Sequence, residues 1–573
     1  MKTTAKDLPF HLRKYIVEQD YEQYTPVDQA CWRYVLRQLK NFLSQHAHES
    51  YLEGLEKTGI EIERIPKIEE ISSKLEKFGW RALPVSGFIP PAAFMELQSL
   101  GVLPIASAMR SLEHLTYTPA PDIVHEAAGH APILIQPEFA QYLRNYAQVA
   151  RKALLSSEDL ELYEAIRLLS DLKENPNSTA KEIEDAQTGL EKTVQKISFV
   201  SEASLLGRMN WWTAEYGLIG DLENPKIFGA GLLSSVEESK WCLSDRVKKI
   251  PLSLKCLETN YDITEPQPQL FVTPNFKTMT TVLNEMAETM AFRQGELPSV
   301  KKAIQAKTVN TVELDSGVQI SGRCCEVITA SDLKTIVYLK FEGPTQLSYK
   351  EKEISGQGKT YHSSGYGTAL GPLKSQSWSS VIGKKGSPVS FEFASGVQVQ
   401  GVLKNHLEKD GKPLLLTFEN CTVAYKDQKL FEPAWGLYDL ALGEKVTSVF
   451  GGPADRETYG DTDDFVARRV PKRQITASQK ELYHQYQKVR DLREQKISGI
   501  ELEKNLEPLL ATQEQKFPED WLLLLESYEL LLHRASKGSS LTEKVLSKLR
   551  KFQSQHPEQK SVIEDGLFLA PQI

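Results

Sequence analysis

Residues 116–134 read TYTPAPDIVHEAAGHAPIL, and this stretch decides how the first half of the chain is read. Two prolines precede Asp122, and an apolar run with helical spacing follows it. Proline keeps the preceding residue out of the helical region, so the chain is still extended around Pro121 and Asp122 is suited to be the N-cap. His125 and Glu126 then fall on the helix. Gly129 reads as its stop, which puts His130 just beyond the last turn. At roughly 100° per residue, two histidines five apart point about 140° away from one another on a continuous α-helix. They can share a metal only if the helix ends between them. The four-residue spacing of an H-E-x-x-H zinc site is not met.

Two imidazoles leave a first-row metal unfinished. Glu215, in NWWTAEYGLIGD at 210–221, is the best third ligand, because a carboxylate inside an aromatic, apolar stretch needs a strong partner. Two histidines and one carboxylate on one face of an octahedron are the arrangement of non-haem Fe(II) oxygenases. Taken residue by residue, the histidines also read as ordinary buried ones, and Glu215 as half of a structural salt bridge.

The chain has 573 residues, 40% hydrophobic and 25% charged, as expected of a globular protein of more than one domain. Its net charge of −8 argues against general nucleic-acid binding, so a small-molecule substrate is expected. No apolar stretch reaches membrane-spanning length and the polar start lacks the core of a secretory signal, which implies a cytoplasmic location. The six cysteines form no C-x-x-C pair, and Cys324 and Cys325 are adjacent in a strand-like run, so neither a zinc site nor a disulfide framework is indicated.

Apolar positions recur at helical spacing over 7–298, as in WRYVLRQLKNFL at 32–43. Within this part, 152–196 is a highly charged pair of helical stretches that reads as a solvent-facing hairpin. Over 309–450 the period changes to two, with glycine-rich turns, and SGVQISG at 316–322 recurs as SGVQVQG at 395–401. Two similar β units packed as a small barrel or sandwich would bury both apolar faces. Helical periodicity returns after 473, and the run 521–525 is too apolar for a free surface, so it packs on the chain itself or on another subunit. The expected fold is therefore multidomain: a mainly α catalytic domain over 1–300, a β-rich barrel or sandwich over 305–452, and a small α-helical domain over 470–573.

Five segments carry a resemblance to a known family: WRALPVSGFIPPAAF at 80–94, YTPAPDIVHEAAGH at 117–130, WWTAEYGL at 211–218, FGAGLLSSVEE at 228–238 and TEPQPQLF at 264–271. Together and in this order they resemble the tetrahydropterin-dependent aromatic amino acid hydroxylases. The resemblance implies that His125, His130 and Glu215 hold Fe(II). It implies that Arg110 clamps the substrate carboxylate, as a planar guanidinium can through two parallel hydrogen bonds, with help from Thr118, Ser234 and the backbone of Gly231. Pro121 and Trp211 match walls around the substrate ring. Phe94, Glu126, Gly87 and Ile89 match the pterin site, Phe94 stacking on the ring and Glu126 facing it.

Three positions depart from the family pattern: Asn210 replaces a tyrosine found in many relatives, Ala120 an acidic residue, and Pro104 a histidine of some animal enzymes. The 152–196 segment also lengthens the spacing between His130 and Glu215. Val272 stands where phenylalanine-type members are apolar, and a buried apolar side chain cannot satisfy a phenol hydroxyl, so phenylalanine is favoured over tyrosine or tryptophan. The implied reaction is O₂- and pterin-dependent ring hydroxylation in phenylalanine catabolism. A reading of another class is a metal-binding scaffold that has lost turnover and acts through its C-terminal domains. Every residue assigned to catalysis precedes Val309, so a chain ended near 305 is expected to keep iron binding and some turnover, leaving the remainder for oligomerisation, regulation or a partner.

Overall fold

The computed structural model describes residues 5–116, 121–175, 178–262, 265–460 and 475–572. Thr118 and Ala120 lie outside the described residues.

The longest helix, Pro26–His46, opens with a reciprocal cap: Thr25 Oγ1 accepts from Asp28 N–H while the Asp28 carboxylate accepts from Thr25 N–H. It buries Trp32, Val35, Leu36, Leu39 and Leu43 in the largest core. Strands Arg81–Val85 and Val102–Ala106 pair in parallel, which requires a crossover, and the helix Pro91–Ser99 supplies it. This unit fixes the loop containing Gly87 and Ile89 and the helix that carries Phe94. A four-stranded sheet, in the order Lys226–Ile227, Leu218–Ile219, Gln269–Thr273 and Lys248–Pro251, follows Glu215 closely in the chain.

The charged insertion is a pair of antiparallel helices, Ser157–Glu174 and Ala180–Lys196, each begun by a capping box, on Ser156 and Thr179. It is not purely solvent-facing. Leu160, Tyr163, Ile166 and Arg167 of its first helix line the main cavity of the molecule.

From Asn310 to Gly451 the chain is sheet-rich. A six-stranded antiparallel sheet runs Lys352–Glu353, Ile336–Tyr349, Val318–Thr329, Asn310–Leu314, Val446–Gly451, with Gly365–Ala369 also paired to Ile336–Tyr349. A five-stranded sheet runs Pro388–Glu392, Val397–Lys409, Lys412–Tyr425, Gln428–Phe431, with Tyr438–Ala441 paired to Lys412–Tyr425. The two copies of the sequence repeat start the matching hairpins of the two sheets. In each, the glycine before the strand, Gly317 and Gly396, has φ near +90°, which a side chain would strain.

The helical tail covers the helix Pro26–His46. Trp521 to Leu531 are buried almost without interruption, and Trp521 meets Tyr34 edge to face at 5.6 Å. Arg33 pairs with Glu526 at 2.8 Å and also with Glu529, which pairs with Arg37 as well, and Arg493 pairs with Glu526. Tyr34 donates to the Val562 carbonyl at 2.6 Å. The apolar run therefore packs on its own chain and belongs to the same core as Trp32. No helix among the described residues is long and apolar enough to cross a membrane.

Candidate active site

His125 and His130 both lie on one π-helix, Val124–His130, which runs on without a break into Ala131–Ile133. The expected helix stop between them is not there. The i→i+5 pattern, seen where Ala131 N–H bonds the Glu126 carbonyl, widens the turn until residues five apart come onto one face. Gly129 has another role: a Cβ there would stand 2.6 Å from the Ala230 carbonyl oxygen, so glycine lets the helix Ala230–Leu233 pack against the π-helix. Glu215 ends a second π-turn, Trp211–Glu215, closed by Tyr216 N–H to the Trp211 carbonyl at 2.8 Å.

The three side chains converge. His125 Nε2 lies 3.4 Å from one Glu215 oxygen and His130 Nε2 3.3 Å from the other, with the two rings perpendicular at 5.0 Å. One donor atom from each falls within 4.8 Å of the others. Burial acts to raise the pKa of Glu215, but His130 and His125 override it and hold the carboxylate well below its usual range. His125 Nδ1 is engaged by Ser234 Oγ at 3.1 Å, which leaves Nε2 for a metal. Asn210 Nδ2 reaches Glu215 Oε1 at 3.4 Å, again five residues apart. Two imidazole nitrogens and a carboxylate at this spacing fit an Fe(II) ion.

The cluster opens on a cavity of about 1110 Å³. Its lining includes Arg110, Pro121, Trp211, Gly231, Ser234, Gly87, Ile89, Phe94 and Glu126. Arg110 is buried and grips Asp122 with two parallel bonds, Nε to Oδ2 at 2.7 Å and Nη2 to Oδ1 at 2.9 Å, while Nη1 donates to the Ser234 carbonyl at 3.2 Å. Asp122 thus does more than the expected capping. It accepts from His125 N–H at 3.0 Å and also fixes the plane of the guanidinium. Sequence reasoning missed this pairing, and the helix-capping position of the aspartate was its only signal. Glu126 lines the cavity with Oε2 buried and without a hydrogen-bond partner among the described residues, and burial next to Glu215 and Asp122 pushes its pKa up to about 8 despite His130. Such an orphaned carboxyl, in a cavity that Phe94 and Ile89 also line, fits the polar edge of a pterin ring.

Two expectations change. Val272 sits inside the strand Gln269–Thr273, paired opposite Leu218 and packed in the hydrophobic core, and is not among the lining residues. Trp211 is stacked on both faces, by Tyr216 and Tyr261, each at 4.4 Å, so only its edge remains to meet a substrate ring. Neither tyrosine was expected at the site. Pro104, on the strand Val102–Ala106, is buried away from the cavity.

Residues 10–160 and 193–313 match the profile of the biopterin-dependent aromatic amino acid hydroxylases. The gap falls on the inserted hairpin. Over 266 residues the chain is 30% identical to a phenylalanine-4-hydroxylase of Mesorhizobium japonicum, spanning 46% of this chain and 80% of that one. Over 280 residues it is 28% identical to the phenylalanine-4-hydroxylase of Chromobacterium violaceum, 48% and 80% respectively. A crystal structure of the latter enzyme with iron(III) and 7,8-dihydrobiopterin aligns at 26% identity and a TM-score of 0.38, covering 48% of this chain and 85% of that one. The chain belongs to the biopterin-dependent aromatic amino acid hydroxylase family. The family's members hydroxylate an aromatic amino acid with a reduced pterin, and the relatives named here are phenylalanine 4-hydroxylases.

Proposed function

We propose that this chain converts phenylalanine to tyrosine, with His125, His130 and Glu215 as the iron ligands. The observation that carries the reading is the convergence of two histidines and one carboxylate within 4.8 Å, at the wall of a cavity that also holds Arg110 and Glu126. Iron and tetrahydropterin together supply O₂ activation when bound. The protein's own side chains do the rest by placement and exclusion of water. Arg110, oriented by Asp122, offers its remaining N–H groups to a substrate carboxylate. Ser234 holds the His125 ring and so sets which nitrogen faces the metal. Asn210 steadies Glu215. Pro121 and the edge of Trp211 bound the substrate ring, Gly231 lets its backbone pack on Tyr216, which a Cβ would meet at 2.7 Å, and Phe94 and Ile89 flank the pterin that Glu126 receives, Gly87 allowing the loop its left-handed turn at φ 59°.

For the remainder, we propose that the sheets of 310–451 form a two-sheet sandwich, because Leu414, Leu415 and Ala441 of the five-stranded sheet join the core of the six-stranded one. A cytoplasmic location and a role in phenylalanine breakdown accompany the same reading.

Anaerobic titration with Fe(II), followed by O₂, a synthetic tetrahydropterin and phenylalanine, tests it. About one iron per chain and pterin-dependent tyrosine are expected. Full activity after exhaustive chelation, or without the pterin, would sink the proposal, and turnover of tryptophan or tyrosine alone would redirect it to another substrate.

A further inference from the structure

The cavity extends well beyond the metal cluster, and its outer lobe is built by parts of the chain that lie outside, or at the edge of, the family's core. Three regions meet there. Thr308 Oγ1 donates to the Leu155 carbonyl at 2.6 Å, Gly451 N–H to the Lys152 carbonyl at 3.0 Å, and Arg456 Nη2 to the Arg151 carbonyl at 2.9 Å. Arg456 Nη1 also reaches Glu96 at 3.2 Å, on the helix Pro91–Ser99 that carries Phe94. The lobe therefore adjoins the pterin side of the site, whereas Arg110 is committed to Asp122 and Ser234 on the substrate side.

Among the described residues its charge is one-sided. Arg151, Arg167, Lys307, Arg323 and Arg456 line it against the carboxylates of Glu96 and Glu164. Arg456 is balanced by Glu96 and Arg167 by Glu164. Among the described residues, Arg323 pairs with Glu342 at 2.9 Å and Arg151 with Glu351 at 4.0 Å, partly exposed pairs of small energetic weight, and Arg151 also acts on Glu96, which Arg456 already holds. Lys307 has no carboxylate within 4.0 Å among the described residues, and its influence on the exposed Glu158 is exerted from farther away. A second observation points to a polar ligand. Asn310, 1% exposed, lines the same lobe, and its Oδ1 is buried without a partner among the described residues while Nδ2 is committed to Thr308.

Resting on the pterin-dependent reading above, we propose that this lobe is a subsite for an anionic tail on the pterin, a carboxylate- or phosphate-bearing 6-substituent, with Lys307 and Arg323 meeting the anion and Asn310 Oδ1 accepting from an N–H or O–H of the tail. A neutral dihydroxypropyl tail leaves these groups unused.

The test is equilibrium binding to the iron-loaded full chain of three dihydropterins: 7,8-dihydrobiopterin with a neutral tail, 7,8-dihydroneopterin triphosphate, and 7,8-dihydrofolate, whose tail ends in two carboxylates. At least one anionic ligand is expected to bind about tenfold or more tightly than dihydrobiopterin, and which one does so separates phosphate from carboxylate recognition. The advantage should shrink with added salt and fall below about threefold in Lys307→Glu/Arg323→Glu, with dihydrobiopterin affinity within about twofold of the parent. Equal affinity for all three, or an advantage that survives in the double variant, overturns the subsite. Failure of every pterin to bind overturns it too, but by removing the pterin-dependent reading itself.

Discussion

The candidate metal ligands were legible in the sequence once the family's motifs were read with them, since His125, His130 and Glu215 taken singly also suit ordinary buried histidines and a structural salt bridge. Their support was not. Ser234 was expected to touch substrate, yet its hydroxyl bonds His125 Nδ1 and donates to the Ala230 carbonyl at 2.7 Å. Ser234→Ala should lower iron affinity roughly 10–100-fold with little change in melting temperature, as loss of a ligand's outer partner does. Unchanged iron affinity in a chelator competition would return Ser234 to the substrate. Arg110→Lys keeps a charge but cannot grip both oxygens of Asp122, which also caps the π-helix through His125 N–H. The phenylalanine KM should rise at least about tenfold, and iron affinity should fall with it, because one carboxylate serves both. A KM effect with wholly normal iron binding would uncouple the two. Val272 and Trp211 show where residue identity stops being enough: whether an apolar side chain faces a cavity or a core depends on strand pairing and on distant partners such as Tyr261.

Elements whose signal is periodic were legible, and elements that break periodicity were not. The repeated hairpins and the capped helices follow from alternation, turn glycines and S/T-x-x-E/D patterns. The π-turns at 124–130 and 211–215 carry no comparable local mark, so 3.6-residue arithmetic forced a helix end at Gly129 that does not exist. The same residue gives a sharp test. In Gly129→Ala the new methyl would stand 2.6 Å from the Ala230 carbonyl oxygen, a backbone atom that cannot swing aside, so the helix capped by Ser234 must shift away from His125. Destabilisation of about 1–3 kcal/mol is expected from the overpacking, together with weaker iron binding. Thermal melting of the apo form and iron titration measure the two separately, and a variant normal in both would mean that the two elements are not tightly packed.

At the scale of the whole molecule, the modular picture drawn from the sequence gives way to one in which the C-terminal parts wall the cavity and cover the longest helix. No local pattern could show this, since the partners are hundreds of residues apart: Arg33 with Glu526, Arg456 with Glu96. Burial would push the pKa of Glu526 up, but Arg33 and Arg493 override this and hold it down at about 2. A carboxylate depressed in the folded state stabilises fully above its unfolded value of about 4.3 and loses that stabilisation as pH falls toward 2. Acid should therefore weaken the docking of the tail between about pH 4.5 and 2, followed by tryptophan emission from Trp521, and Glu526→Gln should remove that part of the transition. A chain ended at 305 is the more severe case. Arg33 and Arg37 would be rehydrated at little cost, but the apolar face around Tyr34 and Leu36 would lose its cover, and Glu96 would lose Arg456. Association or precipitation, a lower melting temperature and impaired iron retention are expected. A truncated chain that stays monomeric by sedimentation, melts like the parent and holds one iron would restore the modular view, and would reduce the contacts across Arg33 and Arg456 to mere adhesion between independent units.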